Sequence, residues 1–114
     1  MLVKRVHVTG SIDLSHIRLL TFLRRAPGRT QAELKEGLGM LPLASDARAR
    51  EIYLPLDEPE PTPNGFDAVE VQWFVTPADA ERYLISPEPA EHRFAIAHLT
   101  RGVERLIARV RVIL

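Results

Sequence analysis

The most regular alternation of apolar and polar side chains lies in residues 67–75 (DAVEVQWFV). Glu70 and Gln72 fall on one side of this segment, and the other side carries Val69, Val71, Trp73 and Val75. A period of two residues is the signature of a β-strand. The chain must therefore contain a sheet, and we expect the remaining segments to supply its other strands and the helices that cover it.

Two segments before this strand also indicate β structure. Residues 2–9 alternate and predict a strand at an edge of the sheet. Residues 17–24 (IRLLTFLR) are almost continuously apolar, as a central strand is. The alternative for the second segment is a helix over residues 13–25 that Ser11 or Asp13 could cap.

The remaining strands are predicted on either side of the helical part of the chain. Residues 51–56 (EIYLPL) predict a strand, with Pro55 at its end or at a sheet edge. Gly102 is expected to end the helical zone, and residues 103–114 to form the last strand. Apolar residues alternate there with a row of arginines, Arg105, Arg109 and Arg111. This row is either an anion-binding wall or a solvated or dimer-facing row balanced by Glu51, Glu70 and the acidic loop over residues 57–65.

Helix-start signals occur at three places in the sequence. Thr30 and Glu33 fit a capping box, which predicts a helix from Gln31. Two glycines and Pro42 weaken that helix, so we expect a break and a second piece over residues 44–50.

The other two helix starts each combine a hydroxyl residue with a proline. Thr76-Pro77 predicts a helix to about Ile85, and Ser86-Pro87 a further helix to about His98. The apolar face of the last helix would carry Ala90, Phe94, Ile96 and Ala97.

The order of these elements defines a fold class. Without the additional N-terminal strand in residues 1–10 it is β-α-β-β-α-β, so we predict an α+β, ferredoxin-like antiparallel sheet with helices on one face. Residues 57–65 (DEPEPTPNG) form a Pro-rich acidic loop, and residues 1–114 are expected to be a single domain. The uncovered sheet face predicts a homodimer in which two sheets pack together.

Composition narrows the classes of function. The 114 residues include 15 basic and 15 acidic side chains, so no overall positive charge favours nucleic-acid binding. The absence of cysteine excludes disulfides and thiolate chemistry. No apolar stretch resembles a signal-peptide core or a membrane span, so we expect a cytoplasmic protein that does not bind membranes.

Three segments together resemble the EthD-like family. They are residues 17–36 (IRLLTFLRRAPGRTQAELKE), residues 66–74 (FDAVEVQWF) and residues 85–94 (ISPEPAEHRF). The resemblance implies a dimeric α/β-barrel fold over residues 17–114. It also implies a small apolar or aromatic metabolite held between sheet and helices, and a cofactor-free isomerase, cyclase or monooxygenase activity. Residues 2–9 have no clear counterpart in the family.

Two positions depart from the family pattern. The family commonly carries a histidine at the position of Met40, and a thioether cannot transfer protons. The family's third strand often has a glutamate at the position of Val71, whereas here the acid is Glu70. A shift of one residue moves a side chain to the opposite sheet face. The alternative hypothesis is therefore a non-catalytic dimer whose ancestral site has decayed.

The candidate catalytic residues are two histidines and two acids. His92 and His98 could act as general acid or base, or could only pack, cap or remain exposed. Asp67 and Glu70 could act as carboxylate bases. Alternatively, Asp67 could settle the turn between loop and strand, and Glu70 could pair with an arginine across the sheet. The residues expected to line a pocket are Met40, Trp73 and Phe94, and Trp73 could equally pack in the core or in the dimer interface.

No cofactor or metal is predicted. The four histidines do not fall into a spacing typical of metal ligands. The sequence Gly37-Leu38-Gly39 lacks the further glycine of a phosphate-binding loop and follows a helix.

Overall fold

A computed structural model describes residues 3–12, 17–55 and 66–109, with residues 102–109 described by their backbone. The elements in chain order are β1 Val3–Gly10, β2 Ile17–Arg25, α1 Gln31–Gly39, β3 Ala49–Pro55, β4 Ala68–Phe74, α2 Pro77–Ile85, α3 Glu88–Ala95 and β5 Thr100–Arg109. The predicted loop at residues 57–65 lies outside the described residues.

The five strands form one antiparallel sheet in the order β1-β3-β4-β2-β5. Without β1, this is the ferredoxin-like arrangement, so the predicted fold class is confirmed. The edge position predicted for the first strand is also confirmed. Residues 17–25 form a strand with neighbours on both sides, β4 and β5, and the alternative helix is wrong for this segment.

The first two helices begin at the residues that the sequence signals indicate. The Thr30 side chain accepts a hydrogen bond from the backbone N–H of Glu33, and the Glu33 carboxylate accepts one from the Thr30 N–H. Thr76 caps α2 in the same way by accepting from the N–H of Asp79. Satisfying these free amides fixes where the helices start.

Three predicted boundaries are wrong. Residues 44–50 are not a second helical piece, because Arg48 N–H donates to the Trp73 carbonyl (2.7 Å) and Ala49 already pairs with β1 and β4. The last helix ends at Ala95 rather than near His98, in a turn whose amides bond to nearby carbonyls. Gly102 lies within β5, which begins at Thr100.

The helices and one sheet face enclose two apolar clusters. The first cluster lies under α1 and the second under α2. Their buried members are Leu23, Leu34, Leu38, Ile52, Leu54, Ala68, Ile96 and Leu99 in the first, and Ile17, Leu19, Ala44, Ala47, Phe74, Ala80 and Tyr83 in the second. Both clusters use alternate residues of β2, as the strand period requires.

The other sheet face carries the intervening residues of the strands, and none of the described helices packs on it. We call it the open face. Its central side chains are Arg18, Leu20, Phe22, Glu51, Tyr53, Val69, Val71 and Trp73, with Val3 and Arg5 at the β1 edge.

Candidate functional site

Two of the four candidate catalytic residues line the same small cavity. Glu70 on β4 and His92 on α3 meet there, between the sheet and the last helix. The other lining residues are Thr21, Leu23, Leu38, Leu41, Arg93 and Ile96. The volume of about 10 Å³ is room for about one water molecule.

Two hydrogen bonds and one contact between rings connect the two residues. Glu70 is 4% exposed, and its Oε1 accepts a hydrogen bond from Gln72 Nε2 (3.1 Å). The same nitrogen lies 3.3 Å from the Tyr83 hydroxyl oxygen. The Tyr83 ring in turn meets the His92 imidazole edge-on, with 6.4 Å between ring centroids.

This polar cluster is incompletely hydrogen-bonded within the described part of the chain. Glu70 Oε2, Gln72 Oε1 and Thr21 Oγ1 are buried and have no partner there. An unsatisfied buried polar atom costs about 1–3 kcal/mol, more when charged. The cavity is therefore a place where a water molecule or a polar ligand atom would be stabilised.

Asp67 and His98 lie away from this cavity. The Asp67 carboxylate accepts the backbone N–H of Arg25 (2.8 Å) and lies 3.4 Å from Arg25 Nε. It thereby fixes the entry into β4 against the end of β2, as the turn-settling interpretation expects. His98 is exposed in the turn before β5.

Two of the three residues expected to line a pocket lie in solvent instead. Met40 is 80% exposed, because α1 ends at Gly39 and Met40 is its C-cap. Phe94 is 85% exposed, because α3 turns other residues toward the sheet. Trp73 does line a concavity, but on the open face rather than beside the helices.

The concavity on the open face measures about 310 Å³. Its wall carries the Arg18 guanidinium, whose carbon lies 5.7 Å from the centroid of the Trp73 ring. Sequence reasoning did not single out this site. Arg18 stood within an apolar run, and the pairing of β2 with β4 is what brings it opposite Trp73.

A buried carboxylate, Glu51, lies at the centre of the open face. It accepts hydrogen bonds from Trp73 Nε1 (2.5 Å), the Tyr53 hydroxyl (2.7 Å) and Arg5 Nη1 (3.1 Å). Burial by itself raises the pKa of Glu51, but these three donors and the Arg5 charge outweigh it and hold the pKa below the ordinary 4.5. Burial and the bond to Glu51 raise the pKa of Tyr53 to about 12.

The described side chains contain no group of three or more histidine, aspartate or glutamate residues that could hold a metal. The arginine row is described only in part. The backbone of Arg105 lies opposite Thr21 and that of Arg109 opposite Ile17, while Arg111 lies outside the described residues. The choice between the two interpretations of this row therefore stays a prediction.

These features define a ferredoxin-like α+β protein with a buried polar cluster under its helices and a polar centre on its open sheet face. No protein-family model and no curated protein matches the chain. Among the described residues, none of the helices is long and apolar enough to cross a membrane.

Solved structures are similar in fold. A dimeric ferredoxin-like protein of unknown function from Thermobifida fusca has a TM-score of 0.60 at 16% identity, covering 92% of this chain and 100% of that chain. A dimeric protein of unknown function from Bacteroides fragilis, also ferredoxin-like, has 0.53 at 15%, covering 82% and 94%. A protein from Arabidopsis thaliana has 0.62 at 10%, covering 86% and 98%.

Proposed function

We propose that this chain is an EthD-like homodimer in which each protomer binds a small apolar or aromatic metabolite between sheet and helices and transfers a proton without a cofactor. The observation that carries the proposal is the buried Glu70 carboxylate. One of its oxygens has no partner among the described residues, and the carboxylate faces the same cavity as His92. The resemblance of residues 17–36, 66–74 and 85–94 to the EthD-like family supports the family assignment.

The chemistry follows from the two side chains. Glu70 would remove a proton from an acidic C–H of the ligand, and the cavity's leucine and isoleucine side chains would exclude competing water. His92 would return a proton at another atom, which completes an isomerisation or a cyclisation. An imidazole suits this step because one of its ring nitrogens can donate a proton while the other accepts one.

Ligand entry requires the cavity to widen, and α3 is the element suited to move. Among the residues of α3 itself, only Pro89 is buried, and its first turn is held from outside by the Ser86 hydroxyl, which accepts the Glu88 N–H (3.2 Å). Segments with few buried apolar contacts open most readily.

The homodimer is supported by the open face and by two of the solved structures that are similar in fold. The open face places Leu20, Phe22 and Val71 beside one another without a covering helix. The Thermobifida and Bacteroides proteins are described as dimeric. An apolar sheet face of this kind packs on another at about 10 Å.

A generic test of a buried carboxylate base is the ring opening of 5-nitrobenzisoxazole. The base takes the ring C–H proton while the N–O bond breaks, which gives a coloured cyanophenolate. We expect the protein to accelerate this reaction and Glu70→Gln to abolish the acceleration. Glu81→Gln is the matched control, because Glu81 is an exposed carboxylate on α2. No acceleration by the unmodified protein, or equal rates for Glu70→Gln, would overturn the catalytic proposal.

A second candidate function is a non-catalytic dimer with a decayed site. Its supporting observation is the size of the cavity, about 10 Å³, which leaves no space for a metabolite in this conformation. The methionine at position 40, where the family carries a histidine, favours the same candidate. Failure of the benzisoxazole test with an intact dimer would select it.

A further inference from the structure

The open face carries more described positive than negative charge. Arg5 and Arg18 lie on it, and Glu51, which is bonded to Arg5, is its one acid among the described side chains. Glu51 is already held by three donors, so its capacity to neutralise a further cation is small. An isologous dimer brings each charge of this face against the same set from the second copy. Packing two such faces therefore favours an anion between them.

Arg18 is the group that such an anion would meet. Its Nε–H is buried and has no acceptor in the described part of the chain. The guanidinium lies over the Trp73 ring, which holds it at the edge of the concavity. Guanidinium N–H groups favour carboxylate acceptors, with which they form short, charge-assisted bonds.

The rest of the concavity is mainly apolar. Its wall includes Val3, Leu20, Phe22, Val69 and Val71. Tyr53 and the Glu51 carboxylate also line it, and that carboxylate already accepts bonds from three donors. A volume of about 310 Å³ lies in the range of small-ligand sites, which combine apolar walls with a few polar groups. The matching ligand has a flat apolar body and one carboxylate.

We propose that the open-face concavity binds a small aromatic carboxylate, with the carboxylate on the Arg18 guanidinium and the ring against Trp73 and the valines of β4. This site lies on the opposite side of the sheet from Glu70 and His92. It rests on the proposed homodimer in one respect, since the second copy would close the concavity into a chamber between the two sheets.

Benzoate is the probe, and Trp73 reports on it, because the chain contains one tryptophan. We expect benzoate to change the Trp73 fluorescence saturably. Benzamide, which has the same ring without the charge, should bind at least about tenfold more weakly. Arg18→Met should lose benzoate binding and keep the dimer. The matched control is Arg82→Met, which removes an exposed arginine of α2 and should bind benzoate normally.

The outcomes separate the site from the dimer. A saturable response to benzoate that Arg18→Met abolishes supports the site, and light scattering on the same samples reports the dimer independently. If the protein is a monomer and still binds benzoate, the binding site stands, but the closed chamber between two sheets does not form. No response to benzoate, equal affinity for benzamide, or unchanged binding by Arg18→Met would each overturn the proposal.

Discussion

Trp73 donates its indole N–H to the Glu51 carboxylate across the β3–β4 pair, with 2.5 Å between Nε1 and Oε1. Both residues lie on the open face, where most neighbours are apolar. A polar network enclosed in an apolar surface adds little stability by itself, but removing one partner is costly. In a sheet-to-sheet dimer this network would help to select one packing of the two faces.

The bond from Trp73 predicts a measurable coupling to Glu51. Trp73→Phe keeps the aromatic body and removes the donor, so we expect a loss of about 1–3 kcal/mol in the free energy of unfolding. The measurement is urea unfolding at a fixed protein concentration. The control is the same substitution in a Glu51→Gln background, where the loss should be clearly smaller. Equal losses in both backgrounds would mean that the two residues do not interact.

The lowered pKa of Glu51 predicts a dependence of stability on pH. Because the folded pKa lies below the unfolded value, the stabilisation is complete above about 4.5 and is lost as pH falls through the folded pKa. We expect the difference in unfolding free energy between the unmodified protein and Glu51→Gln to shrink over this acid range. A difference that stays constant with pH would contradict the assignment.

Tyr53 predicts an effect at the opposite end of the pH scale. Its pKa is raised from 10.0 to about 12, so the folded state keeps the phenolic proton where the unfolded chain loses it. The resulting stabilisation is complete below pH 10 and is lost as pH rises through about 12. Ultraviolet titration of the folded protein should show a tyrosine ionising near 12, and Tyr53→Phe should remove that step. A Tyr53 step near 10 would contradict both the burial of the hydroxyl and its bond to Glu51.

The sequence predicted the fold where local signals and tertiary pairing agree. Thr30 and Thr76 start helices, and the alternation around Glu70 and Trp73 forms a strand, because caps and strand period are local properties. Residues 44–50 were predicted wrongly because β pairing of Ala49 overrides their helical tendency.

The candidate site was only partly predictable for the same reason. Glu70 and His92 are far apart in the sequence, and only the tertiary fold brings the β4 carboxylate and the α3 imidazole to one cavity. Met40 was expected to line a pocket by its place in a family motif, but the end of α1 turns it into solvent. Glu51 drew attention only as a counter-charge, since its three donors come from three different positions of the sheet.

Two glycines with positive φ form a matched pair for a test of local sterics. Gly10 (φ +83°) and Gly28 (φ +81°) share a conformation that costs a residue with a side chain roughly 1–2 kcal/mol. A Cβ at Gly28 would meet no atom within 4 Å, whereas one at Gly10 would clash with the Arg48 carbonyl oxygen. We expect Gly10→Ala to destabilise the fold by about 1–3 kcal/mol more than Gly28→Ala in urea unfolding. Equal losses of unfolding free energy would mean that the end of β1 shifts to relieve the clash at little cost.

The open face predicts how the proposed dimer can be broken. Leu20→Lys places a charge among the apolar side chains of that face, and an unpaired charge in an interface costs on the order of 3 kcal/mol, a factor of about 10² in the dissociation constant. Light scattering at micromolar concentration should show a dimer for the unmodified protein and a shift to monomer for Leu20→Lys.

The control for this substitution is Ile85→Lys. Ile85 is an equally apolar residue at the end of α2, is 86% exposed, and lies away from the open face, so this variant should stay dimeric. Circular dichroism of both variants checks that each remains folded. A monomeric unmodified protein would contradict packing of two copies through their sheets. A dimer that Leu20→Lys leaves intact and Ile85→Lys dissociates would contradict it as well.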